Sequence, residues 1–489
     1  MKPRRSRKAE LAPNTMSGEK SHAETAYPPA GGTPVATACA ARFARGIRPR
    51  SGCPSRGESA ESVEFKMTEL GPIPVDWEVK RIDQCGDVVT GSTPPRGVSE
   101  LWGGSFNWIS AKDFKGKFIV SSEEKVTEAG KRYCRTLPAN SVLVTCIASI
   151  GLNAIAKRPC ATNQQINAVI CRDCDYEYFY YQCCFNESRL RQMAGQTAVP
   201  IIGKSQFEEF TIAFPKEIKE QRRIAGALSD VDELISALGK LIEKKRNIKT
   251  GTMQQLLTGK TRLPGFGAKR TEFKQTELGP IPVDWEVKRF DKVFSMLRNN
   301  TYARESLTDE REGAFNIHYG DILVKYGALV DFEKDEVPCL KFGIEPNKDM
   351  LQDGDLIFAD TAEDEMVGKA IEVTGVNGCR AVAGLHTVLC RPNASVFAPG
   401  YLGYYINSHA YHNQLIPLIT GTKVSSVSRA GFASTYVCIP PFAEQKAIAA
   451  VLSDMDAEIA ALESDRAKYE RIKSGMMQEL LTGKTRLKP

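Results

Sequence analysis

The chain has 489 residues, a formal net charge of +6 at neutral pH and 42% apolar residues. This length is sufficient for about three folding units, and no apolar run approaches the roughly 20 residues that a membrane-spanning helix needs. The 14 cysteines lack the spacing of a disulfide framework, which favours reduced thiols and a cytoplasmic location. The sequence therefore argues against membrane-embedded and disulfide-stapled proteins.

The positive charge is concentrated at the amino terminus. Residues 1–60 carry 11 Lys and Arg against 4 Asp and Glu, a net of +7, which leaves 54 against 55, or −1, for the rest. Residues 1–63 are predicted to be a disordered basic tail. This tail could be an arm that adds phosphate affinity, an organelle-type presequence or translated sequence upstream of the true start. Net charge does not indicate nucleic-acid binding by the body, where any such surface must be a local patch.

Two segments of the chain are duplicated. The opening motif EFKMTELGPIPVDWEVKR, from Glu64 to Arg81, recurs from Glu272 to Arg289 with one change. The segment from Glu220 to Leu263 recurs without a gap from Glu444 to Leu487. The chain is therefore predicted to consist of two similar halves, each with an opening motif, a globular domain and a long helix.

Between the duplicated segments the two halves have diverged. In the first half, short apolar runs at 137–144, 151–156 and 161–170 predict strands of a mixed sheet, and residues 176–193 predict a helix. In the second half, strands are expected at 354–358 and 383–389 and a helix at 401–415. We expect Gly421–Ser426 to occupy the place that Gly203–Ser205 occupies in the first half. Two domains with the same flanking segments and different residues between them are typical of domains that recognise different targets.

The duplicated long segments carry an apolar stripe with alternating steps of four and three residues, the mark of a helix that packs against a partner helix. We expect the two helices to pair antiparallel, each with about 38 residues and a length near 57 Å. The predicted pairing residues are Ile224, Leu228, Val231, Ile235, Leu238 and Ile242 in the first helix, and Ile448, Leu452, Met455, Ile459 and Leu462 in the second.

Several motifs resemble catalytic signatures incompletely. Gly259-Lys260-Thr261 follows a helix and lacks the first glycine of a phosphate-binding loop. Ile439-Pro440-Pro441-Phe442 has isoleucine where amino-methyltransferases need Asn or Asp. Cys171 and Cys174 are followed by adjacent cysteines 183 and 184, which is a poor zinc-site spacing. We predict no catalytic residue and no metal site in this chain.

The motifs together resemble the specificity subunit of type I restriction-modification enzymes over residues 64–487. The resemblance rests on the duplicated opening motif, the Gly91-Ser92-Thr93-Pro94 stretch followed by Trp102-Gly103-Gly104, the Thr162–Gln165 segment and the Glu-Gln-x-x-Ile starts of both helices. It implies an α+β fold with two target recognition domains separated by a pair of long antiparallel coiled-coil helices. The expected segments are a tail (1–63), domain 1 (64–217), helix 1 (218–260), a linker (261–275), domain 2 (276–441) and helix 2 (442–485).

The resemblance also implies a function without chemistry in this chain. Each domain would contact one half of a split target in double-stranded DNA, and the helices would set the spacer. The implied partners are two methyltransferase subunits that use S-adenosylmethionine and restriction subunits that use ATP and Mg²⁺. No association with a membrane is implied. Alternatives are a coiled-coil scaffold indifferent to DNA and a self-contained methyltransferase or nuclease. The candidate DNA-binding residues are Ser92, Arg96, Lys112, Gln164, Gln165, Lys204 and Ser205 in domain 1, and Lys325, His386, Lys423, Ser425 and Ser426 in domain 2.

Overall fold

A computed structural model of the protein describes residues 64–195, 199–267, 272–311, 313–376, 378–421 and 423–487. The predicted basic tail, 1–63, lies outside these residues. The described chain has the predicted α+β class, with two copies of a sheet-containing domain and two long helices. None of its described helices combines the length and the apolar character that crossing a bilayer requires.

The first half of the chain, from Glu64 to Leu263, contains 13 strands and six helices. The strands are β1 (Phe65–Thr68), β2 (Gly71–Pro74), β3 (Trp77–Arg81), β4 (Gly86–Thr90), β5 (Trp102–Ile109), β6 (Phe118–Ile119), β7 (Glu124–Val126), β8 (Thr136–Leu137), β9 (Val142–Thr145), β10 (Asn153–Ala156), β11 (Cys160–Thr162), β12 (Ile166–Cys171) and β13 (Thr211–Pro215). The helices are α1 (Ile82–Cys85), α2 (Glu128–Lys131), α3 (Tyr176–Phe185), α4 (Glu187–Met193), α5 (Lys204–Glu209) and α6 (Ile218–Leu256), with 3-10 turns at Ser99–Leu101 and Ala111–Asp113.

The described residues of the second half, from Glu272 to Leu487, follow a similar order with 15 strands. Its strands are β14 (Phe273–Thr276), β15 (Gly279–Pro282), β16 (Glu286–Arg289), β17 (Phe294–Leu297), β18 (Leu307–Thr308), β19 (Phe315–Ile317), β20 (Leu329–Asp331), β21 (Cys339–Leu340), β22 (Leu356–Ala359), β23 (Thr361–Ala362), β24 (Ala370–Thr374), β25 (Ala381–Ala383), β26 (Thr387–Pro392), β27 (Ser425–Ser426) and β28 (Tyr436–Ile439). Its helices are α7 (Phe290–Val293), α8 (Tyr319–Val324), α9 (Tyr401–Ile406), α10 (His409–Leu415), α11 (Arg429–Ser434) and α12 (Phe442–Leu480), with 3-10 turns at Arg304–Ser306 and Ile416–Leu418.

Each half contains one five-stranded and one four-stranded sheet. The five-stranded sheets have the orders β4-β12-β9-β10-β6 and β17-β26-β22-β24-β20. In both, only the last pair is parallel, and the central pairings are antiparallel. A four-stranded sheet lies beside each, and its parallel pair is β5 with β11 in the first half and β19 with β25 in the second. The sheets are therefore mixed, as predicted.

A tyrosine-rich helix joins each sheet to the first half of its long helix. Tyr181 of α3 donates a hydrogen bond from its hydroxyl to Asp232 of α6 at 2.7 Å. Tyr404 of α9 donates to Asp456 of α12 at 2.9 Å. Both rings are buried because the apolar faces of their helices pack between sheet and long helix. Each domain is thus fixed to the amino-terminal part of its own long helix.

The two long helices, each of 39 residues, lie antiparallel against one another. Lys473 binds Asp232 at 2.7 Å, and the equivalent Lys249 binds Asp456. These pairs place the amino-terminal half of each helix against the carboxy-terminal half of the other. At about 1.5 Å per residue, each helix is about 58 Å long.

This arrangement alters the expected packing of the predicted stripes. In both α6 and α12 the apolar stripe runs along the amino-terminal half of the helix. Because the helices are antiparallel, the two stripes meet only near the middle of the pair. This meeting point lies close to the ion pair of Arg246 and Glu463. Elsewhere each stripe packs against its own domain and the far end of the other helix. Of the predicted pairing residues, Ile224, Leu228, Val231, Ile242, Ile448, Leu452 and Ile459 are buried, and Ile235, Leu238, Met455 and Leu462 are half-buried.

The carboxy-terminal end of each long helix packs against the domain in the other half of the chain. Leu480 and Leu481 join the core of the first domain, and Leu256 and Leu257 join that of the second. Gly483 has a φ of +71°, and a Cβ there would lie 2.4 Å from Pro74. The segment 261–275 was expected to be a linker. Near its start Arg262 binds Glu444, and its last residues belong to β14, so both of its described ends are structured.

Candidate nucleic-acid interface

Polar loops of the first domain converge at one end of its five-stranded sheet. The backbone N–H of Ser92 donates to Thr162 at 2.8 Å, and that of Cys146 donates to Gln165 at 2.7 Å. The N–H of Ile202 donates in turn to Cys146 at 2.8 Å. These bonds hold together the loops that follow β4 and β9, precede β12 and precede α5. We call this region the first polar edge, defined by residues 91–96, 146–149, 163–165 and 199–205.

The second domain has the same construction. The N–H of Asn300 donates to Ala383 at 2.8 Å, that of Asp360 to His386 at 3.2 Å and that of Val427 to Asp360 at 3.0 Å. The loops therefore meet at the equivalent end of the second sheet although their side chains differ. We call this region the second polar edge, defined by residues 298–300, 360–361, 384–387 and 425–429.

Six of the seven residues predicted for domain 1 lie on the first polar edge, four of them in the loops 91–96 and 163–165. The Ser92 hydroxyl donates to the Tyr133 carbonyl at 3.2 Å, and Gln164 Oε1 accepts from Thr93 at 2.5 Å. Gln165 accepts from Asn163 at 3.0 Å, and Arg96 is exposed beside this group.

The other three predicted residues of domain 1 are all exposed. Lys112 lies in the turn after β5. Lys204 and Ser205 begin α5, where Lys204 pairs with Glu208 of its own helix at 3.3 Å.

The residues predicted for domain 2 separate into two groups. His386 and the strand Ser425–Ser426 lie on the second polar edge, where Ser426 pairs with Thr361. Lys423 is exposed in the loop that leads to this strand. Lys325 lies apart, at the end of α8, and its ammonium donates to the Glu336 carbonyl at 2.6 Å.

The expectation that Gly421–Ser426 takes the place of Gly203–Ser205 is wrong. The structural equivalent of α5 is α11, which begins at Arg429 as α5 begins at Lys204. Phe207 and Phe432, one in each helix, are both fully buried. Strand β27 instead corresponds to the isolated bridge between Ile147 and Ile201. Counting back from the long helices, rather than matching glycines, would have aligned Lys204 with Ser428, one residue from its structural equivalent Arg429.

Sequence reasoning also missed side chains from the other loops of the second edge. Asn299 donates from Nδ2 to the carbonyl oxygens of Gly384 at 3.0 Å and of Asn300 at 3.2 Å, and its Oδ1 accepts from Arg429 at 3.0 Å. These residues are far apart in the chain, and no local spacing links them. Only the sheet topology brings them together.

The first polar edge is supported by an aromatic stack. The Arg96 guanidinium lies 4.2 Å from the Trp102 ring centre and 4.7 Å from that of Trp108. It also binds Glu124 through two hydrogen bonds of 2.5 and 3.0 Å, and the bonding from Arg96 lowers the pKa of the Glu124 carboxyl. Trp108 is buried and donates from its indole to the Ser92 carbonyl at 3.0 Å.

In the second domain, buried asparagines stand where the first has this stack. Asn316 occupies the strand position of Trp108, and Asn300 that of Ser92. Both are buried, and within the described chain neither side-chain polar atom of Asn316, nor Asn300 Nδ2, has a hydrogen-bond partner. The two edges therefore share a backbone frame and differ in the groups that fill it.

The histidines of the second edge have different environments. His318 accepts the Gly320 N–H at its Nδ1 at 3.2 Å, and burial lowers the pKa of His318, so the imidazole is neutral at neutral pH. His386 is half-exposed, has a φ of +53° and has its Nδ1 3.8 Å from Asp360. A positive φ is uncommon outside glycine. The tight loop 384–387 thus presents His386 at the edge surface.

The chemistry that these edges offer is hydrogen bonding. Their exposed groups are amides, hydroxyls, an imidazole and cationic side chains, which are donors and acceptors for base edges and phosphates. In the described parts of the chain, no group of three or more His, Cys, Asp or Glu could hold a metal ion. Cys174 lies beside Cys85, whose backbone carbonyl accepts from its thiol at 3.5 Å.

Comparison with known proteins places these domains. Residues 74–247 match the family described as the type I restriction modification DNA specificity domain. The specificity subunit of the type I restriction enzyme MjaVIII of Methanocaldococcus jannaschii is 24% identical over 440 residues, covering 87% of this chain and 96% of the relative. Residues 74–247 therefore carry a type I restriction modification DNA specificity domain, and the chain is similar to type I specificity subunits along most of its length.

Within this family, the MjaIX specificity subunit of the same organism is 34% identical over 243 residues. That alignment spans 48% of this chain and 55% of the relative, so it covers about half of each. The crystal structure of a type I system S subunit from M. genitalium superposes with a TM-score of 0.50 at 15% identity over 85% of this chain and 97% of the other. The described chain thus shares its fold with this solved S subunit.

Proposed function

We propose that this specificity subunit reads a split DNA target through its two polar edges, one half-site per domain. The observation that carries the proposal is that the two edges have the same backbone construction and different side chains. Loops joined by equivalent hydrogen bonds present Gln164, Gln165 and Ser92 in one domain and His386 and Ser425 in the other. Two readers of this kind would recognise two different sequences and hence an asymmetric target.

The groups on the edges suit readout in the major groove. Amide and hydroxyl groups can pair with adenine and other bases, and arginine is suited to guanine. Exposed lysines such as Lys112, Lys204 and Lys423 would contact phosphates and set the register without reading sequence. Lys325 is bonded to a backbone carbonyl away from the edge, so we assign it no reading role.

The paired helices would fix the distance between the half-sites. Each domain is tied to α6 or α12 by a buried tyrosine, and each helix end is tied to the other half of the chain by an arginine that binds two carboxylates. Such a frame would not flex between the domains, because every connection is made twice. The separation of the half-sites would then depend on the length of the helices.

The partners that we propose are two methyltransferase subunits, with S-adenosylmethionine as their cofactor, and restriction subunits that use ATP and Mg²⁺, all in the cytoplasm. The support is the internal twofold relation of the long helices, which presents similar surfaces twice. A cleft of about 500 Å³ lies between the end of α6 and α10, lined by residues that include Thr250, Gln254, Asn407 and His409. A partner subunit could dock there without touching either polar edge.

Exchange of one domain tests this function. Residues 64–217 would be replaced by the corresponding segment of a related specificity subunit, and the hybrid would be expressed with the methyltransferase subunits of its host. Sequencing of methylated adenines should show a new first half-site, with the second half-site and the spacer unchanged. A change in both half-sites would contradict one reader per domain, and methylation independent of this chain would favour a scaffold.

A further inference from the structure

Arg429 differs from the other arginines around the second polar edge. Its Nη2 donates to Asn299 Oδ1 at 3.0 Å, and Asn299 is itself held by the carbonyls of Gly384 and Asn300. The guanidinium is exposed, yet its direction is set by an amide that has three hydrogen bonds. A surface arginine ordinarily loses side-chain entropy when it is fixed in this way. The position is therefore prepared in advance of any ligand.

The charge of Arg429 is not neutralised by a carboxylate of the described chain. Arg298 pairs with Asp349, Arg304 pairs with Asp321, and in the first domain Arg96 pairs with Glu124. In contrast, the partner of Arg429 is a neutral amide, and no described carboxylate oxygen lies within 4.0 Å of it. Arg429 thus keeps its full positive charge and its remaining N–H donors at the surface of the edge.

The equivalent residue of the first domain is held differently. Lys204 begins α5 as Arg429 begins α11, but its ammonium pairs with Glu208 one turn along the same helix. No loop side chain of the first edge fixes it among the described contacts. A lysine is a flexible point charge, whereas an arginine is a planar fork that matches two acceptors at once.

We propose that Arg429 reads a guanine in the second half-site by donating two hydrogen bonds to its O6 and N7 in the major groove. This inference rests on the proposed function of the second domain as a DNA reader. The bidentate arginine–guanine pair requires a guanidinium that is oriented, charged and accessible, and Arg429 has all three properties. Asn299 is the positioning residue, because it touches the arginine and not the base.

The test compares three variants, Arg429→Ala, Arg429→Lys and Asn299→Ala, in the full-length chain expressed with its methyltransferase subunits in cells that lack other such systems. The methylated motif is read by sequencing. In wild type the second half-site should contain a required G·C pair. Arg429→Ala should lower discrimination at that pair by about tenfold to a hundredfold, the range of one bidentate contact, and leave the first half-site unchanged.

The lysine variant separates reading from simple attraction to phosphate. Arg429→Lys keeps the charge, so a phosphate contact would be largely restored, whereas a guanine contact would stay weakened. Asn299→Ala should weaken the same position by a smaller factor. Lys334→Ala, an exposed cation in the turn after β20, is the charge-matched control and should leave the motif unchanged.

The outcomes are distinct. An unchanged second half-site in Arg429→Ala, or restoration by lysine, would overturn the assignment of Arg429 while the split motif of wild type still supported the proposed function. If wild type itself gave no split motif, the proposed function would fail first. Methylation of the first half-site reports in each variant that the chain has folded and assembled.

Discussion

Arg486 and Glu220, 266 residues apart in the chain, form an ion pair with two hydrogen bonds, 2.5 Å from Nε to Oε1 and 2.7 Å from Nη2 to Oε2. Arg486 also binds Asp76 through both terminal nitrogens at 2.9 and 2.8 Å. The second half repeats this cluster, with Arg262 bound to Glu444 and Asp284. The end of each long helix is therefore locked to the start of the other and to an opening motif.

Replacing either arginine with alanine should destabilise the protein strongly. In each case a glutamate that is nearly inaccessible to solvent would lose its cation, and breaking a buried pair on one side costs about 3–5 kcal/mol. Arg262→Ala should cost more than Arg486→Ala, because the Arg262 side chain is 5% exposed and that of Arg486 is 29% exposed. Urea unfolding measures both, with the exposed Lys260→Ala as control. Equal stability of Arg262→Ala and the control would contradict the role of the cluster.

Stability should also depend on two aspartates at acid pH. Hydrogen bonding to Arg262 lowers the pKa of Asp284, and bonding to Arg486 lowers that of Asp76. A carboxyl whose pKa is lower in the folded state stabilises the fold above its unfolded pKa, about 3.9, and loses that contribution as pH falls through the folded value. The unfolding midpoint of wild type should therefore fall below pH 4 more steeply than that of Asp284→Asn. Parallel curves for the two proteins would argue against this linkage.

The glycine that ends each long helix is required by its backbone and by its neighbour. Gly259 has a φ of +68°, and a Cβ there would lie 2.5 Å from Pro282. Gly259→Ala should lower the free energy of unfolding by about 1–3 kcal/mol, because the strain of a left-handed residue adds to the clash. Gly251→Ala, inside α6 with open space around it, should instead raise stability by about 0.5–1 kcal/mol. Similar effects of the two substitutions on the melting temperature would count against the docked conformation of Gly259.

Lengthening both helices tests their role as a spacer. Seven residues inserted between Gly239 and Lys240 and seven between Asp465 and Arg466 preserve the heptad phase and lie nearly opposite one another. The pair would grow by about 10.5 Å, which corresponds to roughly three base pairs. The methylated motif should gain about three unspecified positions between unchanged half-sites. Insertion in α6 alone should abolish methylation, and an unchanged spacer in the double insertion would refute the ruler.

The repeated segments of the sequence predicted much of this architecture, because they correspond to the elements that both halves share. The duplicated opening motif and helices predicted the two domains, and the stripe at Ile224 and Leu228 predicted burial of that helix face. The antiparallel direction was predicted, but the register in which the two stripes meet only near the middle was not predictable from the stripes alone. It depends on the separate contacts of Lys249 with Asp456 and Lys473 with Asp232, which no pattern within one helix reveals.

The site was less predictable than the fold. Gln164, Gln165 and His386 could be placed on the polar edges from the sequence, because they stand beside a recognisable strand. Arg429 and Asn299 could not, since they lie 130 residues apart and meet only when the sheet closes. Lys325 has a cationic side chain suited to DNA, but it lies away from the second polar edge. Its ammonium contacts the Glu336 carbonyl, and this contact depends on how the chain turns after α8.

We propose that two unlike DNA readers are held at a fixed interval by one pair of helices. Single-molecule sequencing of methylated adenines, in cells that express this chain with its methyltransferase subunits, tests it most directly. The account predicts one asymmetric motif with two specified halves separated by a constant number of unspecified bases. A continuous or palindromic motif, a variable spacer, or the same methylation without this chain would contradict it.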